Sequence, residues 1–527
     1  MFEKLSHNQR KDLREALDLA QRRSLAPWSP SGWSNPLSSV VNRRAFLKGG
    51  AGLIGSAVIA KSLGGLSAAR VQAAQCSAGG SSVSPWGAIG PSLDPETSLN
   101  LLQLPPLFSY RSYGWTGDVM DDDEGTPTPP LHDGMAVIQE LGPSHLILVR
   151  DHEVNHPGPA AFGETSLWYD PLAGGGTSNL IFDLASERFI SAVPSMSGSI
   201  RNCSGGVTPW GTWYTCEEVD TGTTTAGGHR HGYVFEVGPL GPLPGGAAVP
   251  FPDMGNFSHE AMAIDPATGI TYLTEDGGSA PGDIGSGFYR FLYNTPGKAE
   301  DGGTLQMLAV KGKPQIDLQE IGCANQAFPV QWVTIEKPDP NVAGGDLSTF
   351  QQGLAGGGAN FRRLEGCWYG ASRIYFVSTT GGPDIPAPNG TGQGEGQLYE
   401  YDPKAERLRV IYVSPAQSVL ENPDNIVVAP DGSIIFCEDN SGGTSNEGER
   451  LIWLYPKTGQ IFTFALNNMD FRTTGLGNFT RSGQTYTTNN KQNEWAGAVF
   501  SPDGKWLFVN IQTPGVTFAI TGPWPWL

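Results

Sequence analysis

Ser258-His-Glu-Ala-Met-Ala-Ile-Asp-Pro-Ala-Thr-Gly-Ile-Thr-Tyr-Leu-Thr-Glu-Asp276 joins two features that recur along the chain. An acidic residue opens an apolar run, a tight Asp-Pro-Ala-Thr-Gly turn reverses it, and a β-branched and aromatic run returns to end in carboxylates. Such a unit reads as a β-hairpin. Asn422-Pro-Asp-Asn-Ile-Val-Val-Ala-Pro-Asp-Gly432 and Asn493-Glu-Trp-Ala-Gly-Ala-Val-Phe-Ser-Pro-Asp-Gly504 open in the same way and also run into apolar strands. The segment from Arg363 to Ser378 fits without the Asp-Gly turn, Asn202 to Glu217 fits more loosely, and Asp133 to Glu153 reads as a further copy. Starts at Asp133, Cys203, Glu260, Glu365, Asp424 and Glu494 make six units. Their irregular spacing suits propeller blades carrying loop insertions. The fold expected is an all-β, six-bladed β-propeller; a large β-sandwich with ordinary hairpin turns is the competing architecture.

The returning strands share one ending. Leu146-Ile-Leu-Val-Arg-Asp-His-Glu153, Gly211-Thr-Trp-Tyr-Thr-Cys-Glu-Glu218, Ile270-Thr-Tyr-Leu-Thr-Glu-Asp276 and Ser433-Ile-Ile-Phe-Cys-Glu-Asp439 all finish in acids. Packing gives an apolar strand no reason to end this way four times. Related by propeller symmetry, these carboxylates converge on the central axis, where they cannot stay ionised without cations. The pattern predicts a multinuclear metal centre there.

Composition agrees with an all-β chain. The 71 Gly and 41 Pro are spread as turn punctuation, and 14 Trp and 15 Tyr supply packing aromatics. Beyond residue 80 no long amphipathic helical period stands out, and no linker divides the rest, so residues 76–527 read as a single propeller domain.

Residues 1–75 read as an address. Asn42-Arg-Arg-Ala-Phe-Leu-Lys48 is a twin-arginine motif, followed by an apolar run, Gly49 to Ala60, too short and glycine-rich to anchor in a bilayer. Val71-Gln-Ala73 offers a cleavage site, and the polar stretch ahead of the motif reads as a leader without structure of its own. The twin-arginine export machinery is therefore an expected partner. Stable membrane insertion is not expected, and the location is periplasmic or secreted. This route carries folded proteins, which suits a chain that loads several metals first. Residues 1–75 hold a surplus of seven positive charges, and their removal takes the formal −19 to −26. So acidic a body does not suit nucleic acid or anionic membranes.

Five cysteines follow Cys76, an odd number that leaves one thiol unpaired unless Cys76 supplies a partner. Cys216 and Cys437 precede acidic strand ends and should face inter-blade packing. Cys203, in a glycine-rich approach to a strand near the axis, reads either as a buried free thiol or as a metal-ligating thiolate.

Asn202-Cys-Ser-Gly-Gly-Val-Thr-Pro-Trp-Gly-Thr-Trp-Tyr-Thr-Cys-Glu-Glu218 closely resembles the signature of PhoX-type alkaline phosphatases. Asn256-Phe-Ser-His-Glu260, Thr274-Glu-Asp276, Phe361-Arg-Arg-Leu-Glu365, Asn422-Pro-Asp424 and Cys437-Glu-Asp439 resemble that family's segments in the same order, as does the twin-arginine leader. The resemblance runs from about residue 85 to the end of the chain. It implies a six-bladed propeller with ferric and calcium ions on its axis, joined by an oxo group. It also implies hydrolysis of phosphate monoesters, and in some members diesters, outside the cytoplasm. Cys203 then matches the iron-binding cysteine, and Glu260 and Glu365 match iron or bridging ligands. Glu153, Glu217, Glu275, Asp424 and Glu438, with their acidic neighbours, fall where the remaining iron and calcium ligands are expected. Arg363 matches an arginine that holds phosphate. Two positions depart from the family: Leu364 stands where Pro is frequent, and Asp151-His-Glu153 replaces Asn-His-Glu. Asp151 would weaken phosphate binding, add a cation ligand or shift substrate preference.

The chemistry is coherent without the family. Phosphate-ester hydrolysis needs a nucleophile at neutral pH and charge on the phosphoryl oxygens, and clustered metals with a bound oxo or hydroxide supply both. Carboxylates suit Fe³⁺ and Ca²⁺, and a guanidinium completes the clamp on small phosphate esters. There is no Gly-x-Ser-x-Gly elbow and no Walker loop. His152, His156, His229, His231 and His259 read first as structural partners and second as ligands. A calcium-dependent lactonase-like propeller and a non-catalytic periplasmic propeller scaffold are the alternatives, but the first needs far fewer acidic ligands than this chain carries.

Overall fold

A computed structural model describes residues 16–22, 81–142, 144–277, 285–439 and 448–527. The twin-arginine motif and the expected cleavage site lie outside the described residues. Nearly all of the regular structure in the described body is antiparallel strand, arranged as a propeller. Its units begin with His132–Leu141, Asn202–Val207, His259–Ile264, Leu364–Gly370, Pro423–Val428 and Trp495–Phe500. These inner strands contact one another in sequence, and the last contacts the first, so the ring is closed. At least three further strands pair outward behind each, and Ala327–Thr334 joins the third and fourth units into one nine-stranded sheet. Alternating apolar residues fill the spaces between neighbouring sheets, for example Val427, Ile435, Trp453, Phe500 and Leu507 in one shared cluster. Burial at this scale, at roughly 25 cal/mol per Å² of apolar surface, is what holds the sheets face to face.

Closure is made by pairing early chain onto late chain. Ser109–Tyr113 adds to Val516–Thr521 as the outer strand of the last unit, and Leu102–Leu104 adds to Gln460–Asn467 of the one before. Buried Asp94 secures the first of these by accepting from the Ser112 backbone N–H (3.1 Å) and hydroxyl (2.6 Å). Arg150 ties first to last unit, donating to Thr517 Oγ1 (2.8 Å) and the Gly114 carbonyl (3.2 Å).

One irregularity repeats in every inner strand. Register slips by one residue between His132 and Met135, Asn202 and Gly205, His259 and Met262, Leu364 and Cys367, Pro423 and Ile426, and Ala496 and Val499. A bulge of this kind bends the strand and re-aims the residue inside it. The residues that open the bulges are Asp133, Cys203, Glu260, Glu365, Asp424 and, in the sixth unit, Gly497.

Cys203, Cys216, Cys367 and Cys437 are free and buried, and Cys323 is disulfide-bonded. Cys216 and Cys437 lie in inter-sheet clusters, as alternation predicts.

Away from the axis, burial pushes the Glu236 carboxyl up from 4.5 to about 7, against the hydrogen bonds it accepts from Thr212 and Trp210. The folded state then keeps a proton that the unfolded chain releases, so the stability it contributes is present below pH 4.5 and falls as pH rises to 7. Glu236→Gln keeps an oxygen for both donors. Thermal melts should show the variant gaining on the parent between those two pH values and by a constant margin above them.

Candidate metal centre

The bulges place one tier of candidate ligands on the axis. A second tier comes from the residue just past each returning strand. Those strands pair at His152, Glu217, Glu275 and Glu438 with the start of each bulge, and the next residues are Glu153, Glu218, Asp276 and Asp439. Side chains alternate, so one member of each doublet faces into its sheet and the next faces the axis.

Four groups of donor atoms result, with all atoms of a group within 4.8 Å of one another: Cys203, Glu218 and Glu260; Glu260, Glu365 and Asp424; Asp424, Asp439 and Glu494; and Asp133, Glu153 and Glu494. Shared Glu260, Asp424 and Glu494 chain them into one belt. Burial, with like charge from neighbours, pushes Asp133, Glu218, Glu260, Glu365 and Glu494 well above the usual carboxylate range, and Asp424 up to about 7. Burial likewise pushes the Cys203 thiol up, and Glu260 adds to it. Without a cation these groups would keep protons. Oxygen donors packed this closely, with one sulfur, fit hard multivalent cations with one site open to a thiophilic metal.

Cys203, Glu153, Glu260, Glu365 and Asp424 of the sequence-derived set are brought together. Glu217, Glu275 and Glu438 are not. Glu217 accepts from the backbone N–H of Ile200 (2.9 Å), Gly232 (2.8 Å) and Tyr233 (3.1 Å), and from His231 Nδ1 (2.6 Å). Glu275 accepts from Gly287 N (2.9 Å) and the Tyr289 hydroxyl (2.7 Å), and Glu438 from Glu421 N (2.8 Å) and both prongs of Arg450 (2.6 and 2.7 Å). These three carboxylates brace their own sheets, and Glu218 and Asp439 take their places in the belt. Asp133 and Glu494 complete it. Glu494 arrives by another route: a Cβ at Gly497, the sixth bulge position, would lie 2.3 Å from the Asp133 carbonyl oxygen, so the carboxylate comes from three residues earlier.

The histidines stand outside the belt. His231 bridges buried Glu217 and Asp170 (Nε2···Oδ2 3.2 Å); burial works against its charge, but these two carboxylates prevail and raise its pKa. His152 contacts the Pro130 carbonyl and Ser178, and His259 lies against the tilted Phe257 ring with Nε2 3.0 Å from the Gly255 carbonyl. His229 lies 3.4 Å from Asp170. His156 meets the Leu172 carbonyl. Asp151, the Asn-to-Asp departure, accepts from Trp213 Nε1 (3.1 Å) and Thr215 Oγ1 (2.7 Å) between the first two units. It is an inter-sheet strut, with burial pushing its carboxyl up.

A cavity of about 640 Å³ opens over the belt, lined by Glu218, Asp276, Ser258 and His156, with Arg201 and Arg363. Arg363 donates to Glu365 Oε1 (2.6 Å) and to both oxygens of Asp276 (3.2 Å each), and Glu365 above all keeps it charged. Arg201, not anticipated, donates to Glu153 Oε1 (3.0 and 2.8 Å) and to Glu218; burial opposes its charge, but these carboxylates outweigh it. Each arginine sits two residues before a bulge residue in a left-handed conformation, φ 52° for Arg201 and 43° for Arg363. Leu131 and Asn422 repeat this at φ 54° and 40°. Left-handed backbone at a non-glycine is costly and persists where the surroundings over-determine it. Here it turns two guanidiniums out of the sheets and over the axis. Leu364, the second departure, is core, and its N–H donates to Ser286 Oγ (3.3 Å).

The family description "Alkaline phosphatase PhoX" matches residues 172–515, well over half of the chain. The chain belongs to the PhoX alkaline phosphatase family. It is a metal-dependent phosphatase of propeller architecture. Among solved structures, Pseudomonas fluorescens PhoX in complex with vanadate, a transition state analogue, superposes with a TM-score of 0.55 at 16% identity, covering 82% of this chain and 97% of that one. Two Bacteroides thetaiotaomicron proteins, a structural genomics protein of unknown function and an auxiliary nutrient binding protein, reach TM-scores of only 0.37 and 0.36, at 10% and 9% identity. They cover 78% and 79% of this phosphatase, and it covers 76% and 77% of them. No curated protein matches the chain.

The two members of a doublet should fail differently. Glu218→Gln should lower bound metal, read by elemental analysis, with little loss of stability in metal-free protein. Glu217→Gln should keep the metal but unfold earlier in denaturant, by about 2 kcal/mol or more for lost charge-assisted hydrogen bonds.

Proposed function

We propose that this phosphatase hydrolyses small phosphate monoesters, and diesters with lower preference, at an iron and calcium centre held by the axial belt. The observation that carries the reading is the one thiol in the belt, Cys203, grouped with Glu218 and Glu260, while the other three groups are all oxygen. A thiolate suits iron and the oxygen groups suit calcium. Bound there, the metals supply positive charge to the phosphoryl oxygens and a nucleophile at neutral pH. The residues of the chain do the rest. Glu260, Asp424 and Glu494 would each help hold two neighbouring cations, because each belongs to two groups. Arg363 and Arg201 face the cavity and clamp the remaining anionic oxygens through directed N–H donors, Arg363 as the principal contact. Asp276 and Glu365 hold the Arg363 fork in place until substrate competes for it. With a monoester, both guanidiniums find anionic oxygens; a diester offers fewer, which favours the monoester.

The twin-arginine leader supports export in the folded state and a periplasmic or secreted location. Among the described residues no helix is long and apolar enough to cross a membrane.

Cys203→Ala should lose iron, the visible ferric charge-transfer band and nearly all turnover of p-nitrophenyl phosphate. Arg363→Ala should retain iron and the band but lose about 2 kcal/mol of transition-state stabilisation, a fall of roughly 30-fold in kcat/KM, and bind vanadate more weakly. Normal iron and rate in Cys203→Ala would defeat the thiolate assignment. Exhaustive calcium chelation should abolish turnover and lower the melting temperature together, because the cations also hold the inner strands closed.

A further inference from the structure

Residues 16–22, inside the stretch expected to be a leader without structure of its own, form a helix. Ala20 is 2% exposed, in one cluster with Ala136, Ile138, Leu141, Ile147, Ile181 and Trp213, and Ala16 and Leu17 pack against it. Gln139 Nε2 donates to the Ala20 carbonyl (3.1 Å) and to the Gly211 carbonyl (2.9 Å), and Leu240 N–H donates to Gln21 Oε1 (3.1 Å). Asp18, Leu19 and Arg22 face outward. Ala16, Leu17 and Ala20 pack on the body, and tertiary packing of this kind is what chiefly stabilises a helix in a protein.

The seat is remote from the metal belt. Leu141, Gly211 and Leu240 stand at the turns opposite the strand ends that carry Asp133, Cys203 and Glu217. It is also composite. Ile138 and Leu141 come from the first inner strand, Ile147 from His145–His152, Ile181 from Gly175–Asp183, and Trp213 and Leu240 from the second unit. Neither unit offers the groove alone.

We propose that residues 16–22 are a docking helix, by which the leader ahead of Arg43-Arg44 binds the finished junction of the first two propeller units. Because that junction exists only after both units have packed, leader and folded body recognise each other in a way an unfolded chain does not. This goes beyond the phosphatase reading, and it stands whether or not the metal assignment does.

Hydrogen–deuterium exchange on the full chain tests it. Amides of residues 16–22 should exchange at least about tenfold more slowly than in a free peptide of the same sequence. Ala20→Glu, which forces a charge into the seat, should return them to the free-peptide rate. Gln139→Ala, on the body side, should speed their exchange, with unchanged protection in the propeller strands. Hydrolysis of p-nitrophenyl phosphate by Ala20→Glu should match the parent, showing the body intact. Free-peptide exchange in the parent, or slow exchange that survives Ala20→Glu, would overturn the proposal.

Discussion

Charge balance on the propeller axis is the constraint on which the rest of the structure depends. Eight carboxylates and a thiol converge in a space from which water is largely excluded. Ionised and uncompensated, they would repel strongly, since two charges 4 Å apart interact by roughly 4 kcal/mol at an effective dielectric constant of about 20. Protonation relieves that repulsion in the absence of cations, which is why burial lifts the acids of the belt. Cations relieve it better, because they also satisfy the lone pairs.

The belt exists because one backbone device is repeated. Each inner strand carries a single extra residue at the same place, and in all but the sixth its side chain joins the belt. Close approach around the ring sets what each slot tolerates. A Cβ at Gly366 would meet the Asp424 carbonyl at 2.5 Å, and one at Gly497 the Asp133 carbonyl at 2.3 Å. The sixth slot therefore holds no ligand, and Glu494 reaches in from the approach to the strand. Around the belt, backbone N–H groups with His231, Tyr289 and Arg450 hold the sheet-facing partners Glu217, Glu275 and Glu438, which braces the strand ends that carry the belt.

Much of this was legible in the residues. Hairpin turns such as Asp265-Pro-Ala-Thr-Gly269 and Pro430-Asp-Gly432, placed between short apolar runs, specify local strand reversal whatever surrounds them. Repetition of that unit required an architecture built of equivalent sheets. Cys203, Glu260, Glu365 and Asp424 could be picked out because each follows a recognisable approach to an inner strand. Arg201 carried a signal that went unread: it stands two residues before Cys203, as Arg363 does before Glu365.

The acid doublets mark the boundary between sequence and tertiary structure. The sequence alone determined that Glu217-Glu218, Glu275-Asp276 and Glu438-Asp439 end strands near the axis, and that so much buried negative charge demands cations. Which member of each pair faces its sheet and which the axis was decided by where the hydrogen-bonded ladder stops, because side-chain direction alternates residue by residue and one step exchanges sheet for axis. The same applies to Asp151, read as a neighbour of substrate and found as a strut on Trp213 and Thr215. It applies to residues 16–22, whose helix packs into a groove assembled from strands more than a hundred residues away in the chain. Turn chemistry and charge are local properties and can be read one segment at a time. Bulge register, side-chain facing and composite grooves are set only when the ring closes.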